Sequence, residues 1–284
     1  MKTLTVLLLF VFPVSFHHMS LKAQFDDKTY DKEKFLIGTL DDYMGYIRTF
    51  NAGTDSFNYQ KVDIYTQDEL KFALFVDSIF NVGYKDIYLV NNGAPKGIKL
   101  YSPSLSEKID NYFDYIPLGM FTMKGDTTFE GKIRKNILQT EKEKLSFLLG
   151  AYIRHGAGSL RHRYFEGNAI LMYNSTSKAA LCAELLKEFE CANVVYDVKK
   201  GTIPVGHFIS FTPSPKVQTI IDEAERLNNI ISKINTDDIE FNPTEKKFIW
   251  REPDIPKKSF KDVKTNQLND TIGEIIIIPF SKQK

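Results

Sequence analysis

The chain has 284 residues, 43% of them apolar, which is enough material for one large or two modest hydrophobic cores. This composition excludes an intrinsically disordered protein. The formal net charge is only +1, so electrostatics give no reason to expect a nucleic acid or an anionic membrane as a partner.

The N-terminal segment has the pattern of a secretory signal peptide. A single lysine is followed by an apolar run from Leu4 to Phe16 and then by a polar stretch that ends in LKAQ. The run is shorter than the ~20 residues needed to span a bilayer. We therefore predict a signal peptide over residues 1–23 and a secreted or periplasmic protein with no membrane span after cleavage. The alternatives are an uncleaved anchor and a buried N-terminal strand.

A polar leader over residues 24–32 precedes the first predicted repeat, residues 33–114. Phe35, Leu36, Leu40 and Ile47 share one helical face, which predicts a first helix over about 31–48. The remaining predicted elements follow in order: a strand at 59–65, a helix that opens at the capping box of Thr66 and Glu69, strands at 85–90 and 98–102, and a helix with Ser104 and Glu107 as its capping box.

A connection over residues 115–138, with a short hairpin predicted at 120–133, leads to the second predicted repeat, residues 139–235. Its first helix runs from Thr140 to His155, with Glu143 completing a capping box and Gly156 ending the helix. The later elements are a strand at 168–174, a helix at 175–190, strands at 193–198 and 206–211, and a helix at 212–234.

Both halves therefore have the order helix, strand, helix, strand, strand, helix. The motif Phe-Leu-aliphatic-Gly begins at Phe35 and again at Phe147, and YSPS at 101–104 matches FTPS at 211–214. We predict an α+β fold of two tandem related repeats, each with a small antiparallel sheet. The alternative is two unrelated segments that share common helix and turn chemistry. Residues 236–284 are predicted to be an extended C-terminal wrap that ends in a buried strand at 273–280.

This architecture resembles the single-chain form of the LAGLIDADG homing-endonuclease family. The stretches FLIGTLDDYMGYI and FLLGAYIRHGAG carry the resemblance, which covers roughly residues 33–113 and 143–227. It implies that the two glycine-containing helices pack at a pseudo-twofold axis and present acids that bind a divalent metal for DNA cleavage. In this sequence Tyr43 and His155 stand at the acid positions, and neither is a good ligand for Mg²⁺. We therefore expect no metal site and no cofactor.

Charged residues near the ends of these two helices are the candidate binding residues. They are two adjacent acids in the first half and a basic cluster in the second: Asp41, Asp42, Arg154, His155, Arg161, His162 and Arg163. The basic cluster is the feature that DNA binding would use. Its alternative is a solvated loop whose basic residues are favoured by the dipole at a helix C-terminus.

No catalytic motif is recognisable. Cys182 and Cys191 lie within one predicted helical pattern, which favours two buried thiols over a disulfide unless the chain folds back between them, and two cysteines without clustered histidines do not predict a zinc site. We predict an exported, non-catalytic binding or cell-envelope component with an unknown macromolecular or extracellular ligand. One alternative is an exported hydrolase whose site the sequence does not reveal. The other is a degenerate LAGLIDADG-like DNA-binding protein or endonuclease, which export and the near-neutral charge disfavour.

Overall fold

Six α-helices and three antiparallel sheets make up the part of the chain that the structure describes. The structure is a computed structural model, and it describes residues 25–41, 47–51, 56–57, 61–91, 97–121, 127–134, 136–159, 167–173, 176–201, 205–236, 239–242 and 247–250. The predicted signal peptide, Asp42, the residues 161–163 and the predicted strand 273–280 lie outside these ranges. The prediction of an α+β fold is confirmed.

The first half contains three helices and seven strands. In chain order they are helix α1 (Lys32–Thr39), strands β1 (Ile47–Asn51), β2 (Ser56–Phe57) and β3 (Lys61–Tyr65), helix α2 (Leu70–Phe80), strands β4 (Tyr88–Asn91) and β5 (Ile98–Tyr101), helix α3 (Pro103–Asp110), and the hairpin of β6 (Phe113–Phe121) with β7 (Thr127–Ile133). A single 3₁₀ turn, Gln67–Glu69, joins β3 to α2, and it opens with the predicted capping box of Thr66 and Glu69.

The second half contains the other three helices and five strands. They are helix α4 (Glu141–His155), strand β8 (Ala169–Tyr173), helix α5 (Thr176–Glu188), strands β9 (Ala192–Lys199) and β10 (Gly206–Thr212), helix α6 (Pro215–Ser232), and strands β11 (Ile239–Asn242) and β12 (Lys247–Trp250). None of the helices in the described ranges is long and apolar enough to cross a membrane.

The two halves arrange their strands in the same way. One sheet has the order β11-β12-β4-β5-β3 and another has the order β8-β10-β9, while β2, β1, β7 and β6 form a third. In the first half β3 pairs with β5, and β5 pairs with β4. In the second half β8 pairs with β10 in the same way, and β10 pairs with β9. The element order of the second half agrees with the sequence-based prediction as far as α6, and that of the first half agrees except for β1 and β2, which were not predicted.

Helices α1 and α4 cross at two glycines and form the centre of the fold. A Cβ atom added to Gly150 would lie 2.0 Å from the carbonyl oxygen of Phe35, and one added to Gly38 would lie 2.2 Å from the carbonyl oxygen of Phe147. The two contacts are reciprocal, because each glycine faces the backbone of the equivalent phenylalanine in the other helix. Phe35 and Phe147 are themselves fully buried, so this crossing lies inside the hydrophobic core.

The predicted polar leader also contributes to the core. Phe25 and Tyr30 are both buried, and the ring centroids of Phe25 and Phe35 are 4.9 Å apart. Asp31 is the N-cap of α1, since its carboxylate accepts hydrogen bonds from the backbone amides of Glu33 and Lys34. Residues 25–31 therefore fix the start of α1.

Helix α1 is shorter than predicted. It ends at Thr39, where Leu40 turns into an extended conformation, and Ile47 begins β1 and does not continue the helix. Thr39 and Asp41 are weak helix formers, and the carbonyls of Thr39 and Leu40 accept hydrogen bonds from the distant side chains of Arg154 and Lys178 in place of a further helical turn.

Two further predictions are corrected by the structure. Helix α3 is capped by Ser102, whose hydroxyl accepts a hydrogen bond from the amide of Leu105, whereas Ser104 lies inside the helix and donates to Asp86. The segment after residue 235 is not entirely an extended wrap, because β11 and β12 form a hairpin that pairs with β4. The hairpin predicted at 120–133 is present and longer than expected.

Both cysteines are buried free thiols, in agreement with the favoured interpretation of their spacing. Helix α5 ends at Glu188, and Glu190 adopts a positive φ of 59°, which reverses the chain before Cys191. The chain thus folds back between the two cysteines, but it brings them into no bond.

Candidate functional site

The ends of α1 and α4 meet in a buried cluster of charged side chains. Helix α4 is capped at its start by Thr140 and Glu143, and its last two residues are Arg154 and His155, which are 2% and 1% exposed. Basic residues are favoured at this end of a helix by its dipole. Because they follow the glycine crossing by one turn, both side chains reach the C-terminal end of α1.

Arg154 makes an ion pair with each of two buried acids. Its Nη1 atom lies 2.6 Å from Oδ2 of Asp63 in β3, and its Nε atom lies 2.9 Å from Oε1 of Glu69 in the 3₁₀ turn. The guanidinium stacks over the ring of Tyr65, with its carbon 4.5 Å from the ring centroid. All three partners belong to the first half of the chain.

The remaining donors of Arg154 bind backbone carbonyls. Nη1 also donates to the carbonyl of Thr39 at 2.8 Å, and Nη2 donates to the carbonyl of Ile64 at 2.6 Å. Burial acts to lower the pKa of Arg154, but the carboxylates of Asp63 and Glu69 outweigh it and hold that pKa well above its ordinary value. The guanidinium is therefore charged, and it donates four hydrogen bonds to acceptors within the protein.

Lys178 of α5 completes the cluster from the other side. Its Nζ atom donates to the carbonyl of Leu40 at 2.9 Å and lies 3.4 Å from Nε2 of His155, which in turn lies 3.3 Å from the carbonyl oxygen of Thr39. The side chain is completely buried, and burial lowers the pKa of Lys178 to about 7. The neighbouring thiol of Cys182 has its pKa raised by burial to about 12, so it stays protonated.

This cluster is a structural junction, in which side chains of α4 and α5 bind the C-terminal end of α1. The carbonyls of Thr39 and Leu40 would otherwise be unsatisfied at a helix end, and Arg154 of α4 and Lys178 of α5 donate hydrogen bonds to them. The two acids are neutralised by Arg154 and are not available to a metal ion. Across the residues that the structure describes, no group of three or more histidines, cysteines or acids could hold a metal ion.

The predicted binding residues are only partly brought together. Arg154 and His155 are buried, so the interpretation of these two residues as part of a solvated loop is wrong, and neither side chain is exposed to bind DNA. Asp41 lies beside the cluster, where its backbone amide donates to Asp63 at 3.2 Å. The other four candidates, Asp42, Arg161, His162 and Arg163, fall outside the described ranges.

Three members of the cluster were not identified from the sequence as site residues. Glu69 was assigned only to the capping box, although its second carboxylate oxygen binds Arg154. Lys178 precedes Cys182 by four residues and Leu185 by seven, which places a lysine on an apolar helix face and could have indicated a buried cation. Asp63 gives no comparable local signal.

Comparison of the chain with models of protein families, with curated proteins and with solved structures gives no significant match.

Proposed function

We propose that this chain is an exported protein that binds another macromolecule without catalysing a reaction, on a scaffold similar to that of the LAGLIDADG family. The observation that carries the proposal is the ion-paired Arg154 between Asp63 and Glu69. In the family the corresponding helix ends present acids to metal ions. In this chain the junction holds a cation whose hydrogen bonds are made within the protein.

The resemblance in scaffold is supported by the central helix pair. The reciprocal approach of Gly38 to Phe147 and of Gly150 to Phe35 is the packing that two equivalent helices around a pseudo-twofold axis would make. The equal strand order of the two halves points in the same direction. We also propose that the two halves share a common ancestor. The equal strand order and the reciprocal helix crossing support this proposal.

A nuclease activity has little chemical basis in the described residues. A hard divalent cation needs several oxygen ligands, and two of the acids beside the helix ends, Asp63 and Glu69, already bind a buried guanidinium. Removing either acid from Arg154 to bind a metal would leave a charge buried without its partner, which costs about 3–5 kcal/mol. Duplex binding also relies on phosphate neutralisation, and the net charge of the chain is only +1.

The proposal that the protein is exported is based on its N-terminal sequence. We expect the mature chain to begin at Gln24 and to occur in the periplasm or the medium, which mass spectrometry of the protein from fractionated native cells would measure. A full-length chain in the cytoplasm would contradict the proposal of export.

The absence of nuclease activity is tested on the chain without residues 1–23. Supercoiled plasmid is incubated with the protein and Mg²⁺ or Mn²⁺, and binding of a labelled duplex is titrated at several salt concentrations. We expect neither cleavage nor salt-dependent binding. Metal-dependent cleavage that is abolished by an alanine substitution of Asp41 would contradict the proposal and would favour the endonuclease alternative.

A further inference from the structure

The guanidinium group of Arg154 is surrounded by groups of the first half of the chain. Four oxygen atoms accept its hydrogen bonds, and they belong to the side chains of Asp63 and Glu69 and to the backbone carbonyls of Thr39 and Ile64. The ring of Tyr65 lies against one face of the group. These five residues all lie within residues 39–69, whereas Arg154 belongs to α4 in the second half. The cation and the groups that bind it therefore come from different halves of the chain.

The two acids of this environment are also oriented by hydrogen bonds that do not involve Arg154. Asp63 and Glu69 are buried, at 0% and 2% exposed. One carboxylate oxygen of Asp63 accepts from the backbone amide of Ile64 at 2.8 Å, and its other oxygen binds the guanidinium. The second carboxylate oxygen of Glu69 accepts from the amide and the hydroxyl of Thr66. Removal of the arginine side chain would therefore leave a set of acceptors that is already oriented.

The geometry of these acceptors fits a guanidinium better than an ammonium or a metal ion. The three nitrogen atoms of the group point in different directions within one plane, and each of them donates to at least one of the four oxygen atoms. An ammonium group is a compact point charge with three donors and no flat face. Each oxygen atom lies 2.6–2.9 Å from a nitrogen atom that is itself bonded to the central carbon. The four oxygen atoms are therefore too far apart to share one metal ion, whose ligands lie at about 2.0–2.6 Å.

We propose that residues 39–69 form a binding site for a guanidinium group, and that Arg154 is the intramolecular ligand of this site. Its four hydrogen bonds are made by the guanidinium nitrogen atoms, and none involves the alkyl chain that links the group to α4. The variant Arg154→Ala should therefore bind free ethylguanidinium, which has the same non-hydrogen atoms as the part of the side chain that is removed. Because this ion is small and is not tethered, we expect a dissociation constant of roughly 1–10 mM.

The test is urea unfolding of the chain without residues 1–23, followed by circular dichroism, with and without ethylguanidinium. For Arg154→Ala, about 20 mM of the ion should raise the folding equilibrium constant by about 3- to 20-fold, because the ion binds only the folded state. This concentration is far below those at which guanidinium salts denature proteins. The unsubstituted chain should not respond, since its own arginine occupies the site. The matched control is Arg134→Ala, which removes an exposed arginine paired with Asp114 and should not respond either. Ethylammonium and Mg²⁺ should stabilise Arg154→Ala by less than about twofold.

A second variant tests whether the carboxylates form the site. Asp63→Asn added to Arg154→Ala removes one of the two acids, and it should weaken the binding of ethylguanidinium by about tenfold or more. If Arg154→Ala is unfolded in buffer alone, the comparison is made in sucrose, which favours the folded state without occupying the site. An Arg154→Ala chain that ethylguanidinium stabilises under neither condition would overturn the proposal. Equal responses of Arg154→Ala and Arg134→Ala would overturn it as well, and so would equal effects of ethylguanidinium and ethylammonium.

Discussion

The substitution Gly150→Ala should destabilise the protein by forcing the two central helices apart. The new Cβ atom would lie 2.0 Å from the carbonyl oxygen of Phe35 and 3.1 Å from the Cα atom of Gly38. Contacts of this kind are rarely shorter than about 3.2 Å, and both neighbours are backbone atoms that cannot rotate away. The helices must therefore separate locally by more than about 1 Å.

The magnitude follows from two opposing effects. Alanine in a helix is favoured over glycine by about 1 kcal/mol, which partly offsets the clash. A gap of ~1 Å along the crossing forfeits up to half of the dispersion energy of the atoms that line it, and forced overpacking typically costs about 1–3 kcal/mol or more. Because both clashing neighbours are backbone atoms, the cost lies at the upper end of this range, and we expect a net loss of about 2 kcal/mol, or a melting temperature lower by roughly 4–8 °C.

The assay is urea unfolding followed by circular dichroism, with Gly83→Ala as the matched control. A Cβ atom at Gly83 would meet nothing closer than 3.8 Å, so this variant should stay within about 0.5 kcal/mol of the unsubstituted chain. Because Gly38 and Gly150 share one crossing, the double alanine variant should lose less than the sum of the single losses. Equal stability of Gly150→Ala and the unsubstituted chain would refute the close approach of the helices.

Two further predictions concern the buried cluster. Arg154→Met should leave Asp63 and Glu69 without their cation and cost about 3–5 kcal/mol, whereas Arg134→Met, which breaks an exposed ion pair, should cost less than about 1 kcal/mol. Similar losses of stability in the two variants would contradict the burial of the ion pairs of Arg154. For Lys178, whose pKa falls from 10.5 to about 7 on burial, the unfolded chain binds a proton that the folded chain lacks between these two values. The free energy of unfolding should therefore rise with pH across that window. We expect the variant Lys178→Met to lack this rise when urea unfolding is measured at pH values from about 7 to 10. If the two proteins show the same dependence on pH, Lys178 stays charged in the folded protein.

Features determined by nearby residues could be predicted from the sequence. The capping boxes of Thr66 with Glu69 and of Thr140 with Glu143 involve residues three apart, and both are present. The apolar periodicity likewise located every helix in the described ranges. Ser104 shows the limit of such rules, because the serine two positions earlier has the extended backbone that an N-cap requires.

Features determined by distant residues could not be predicted in the same way. The sequence places Arg154 in a basic cluster because its neighbours in sequence are basic. The acids that form ion pairs with it inside the protein, Asp63 and Glu69, are 91 and 85 residues earlier in the chain. The early end of α1 has the same origin, since apolar spacing continues past Thr39 while the partners of its last carbonyls come from other helices. The helices and the α+β fold were therefore accessible from the sequence, whereas the strands β1 and β2 and the nature of the junction were not.

The way in which α1 ends has a consequence for the order in which the chain can fold. The carbonyl of Leu40 accepts its hydrogen bond from Lys178, which is 138 residues further along the chain. During synthesis from the N-terminus, the first half emerges long before this partner. Contacts between such distant residues slow folding, because a long loop must close before they contribute. A fragment that stops before α4 would also lack Arg154 and half of the glycine crossing, so we expect it to remain incompletely folded, and native structure should appear in the first half only after the second half has followed.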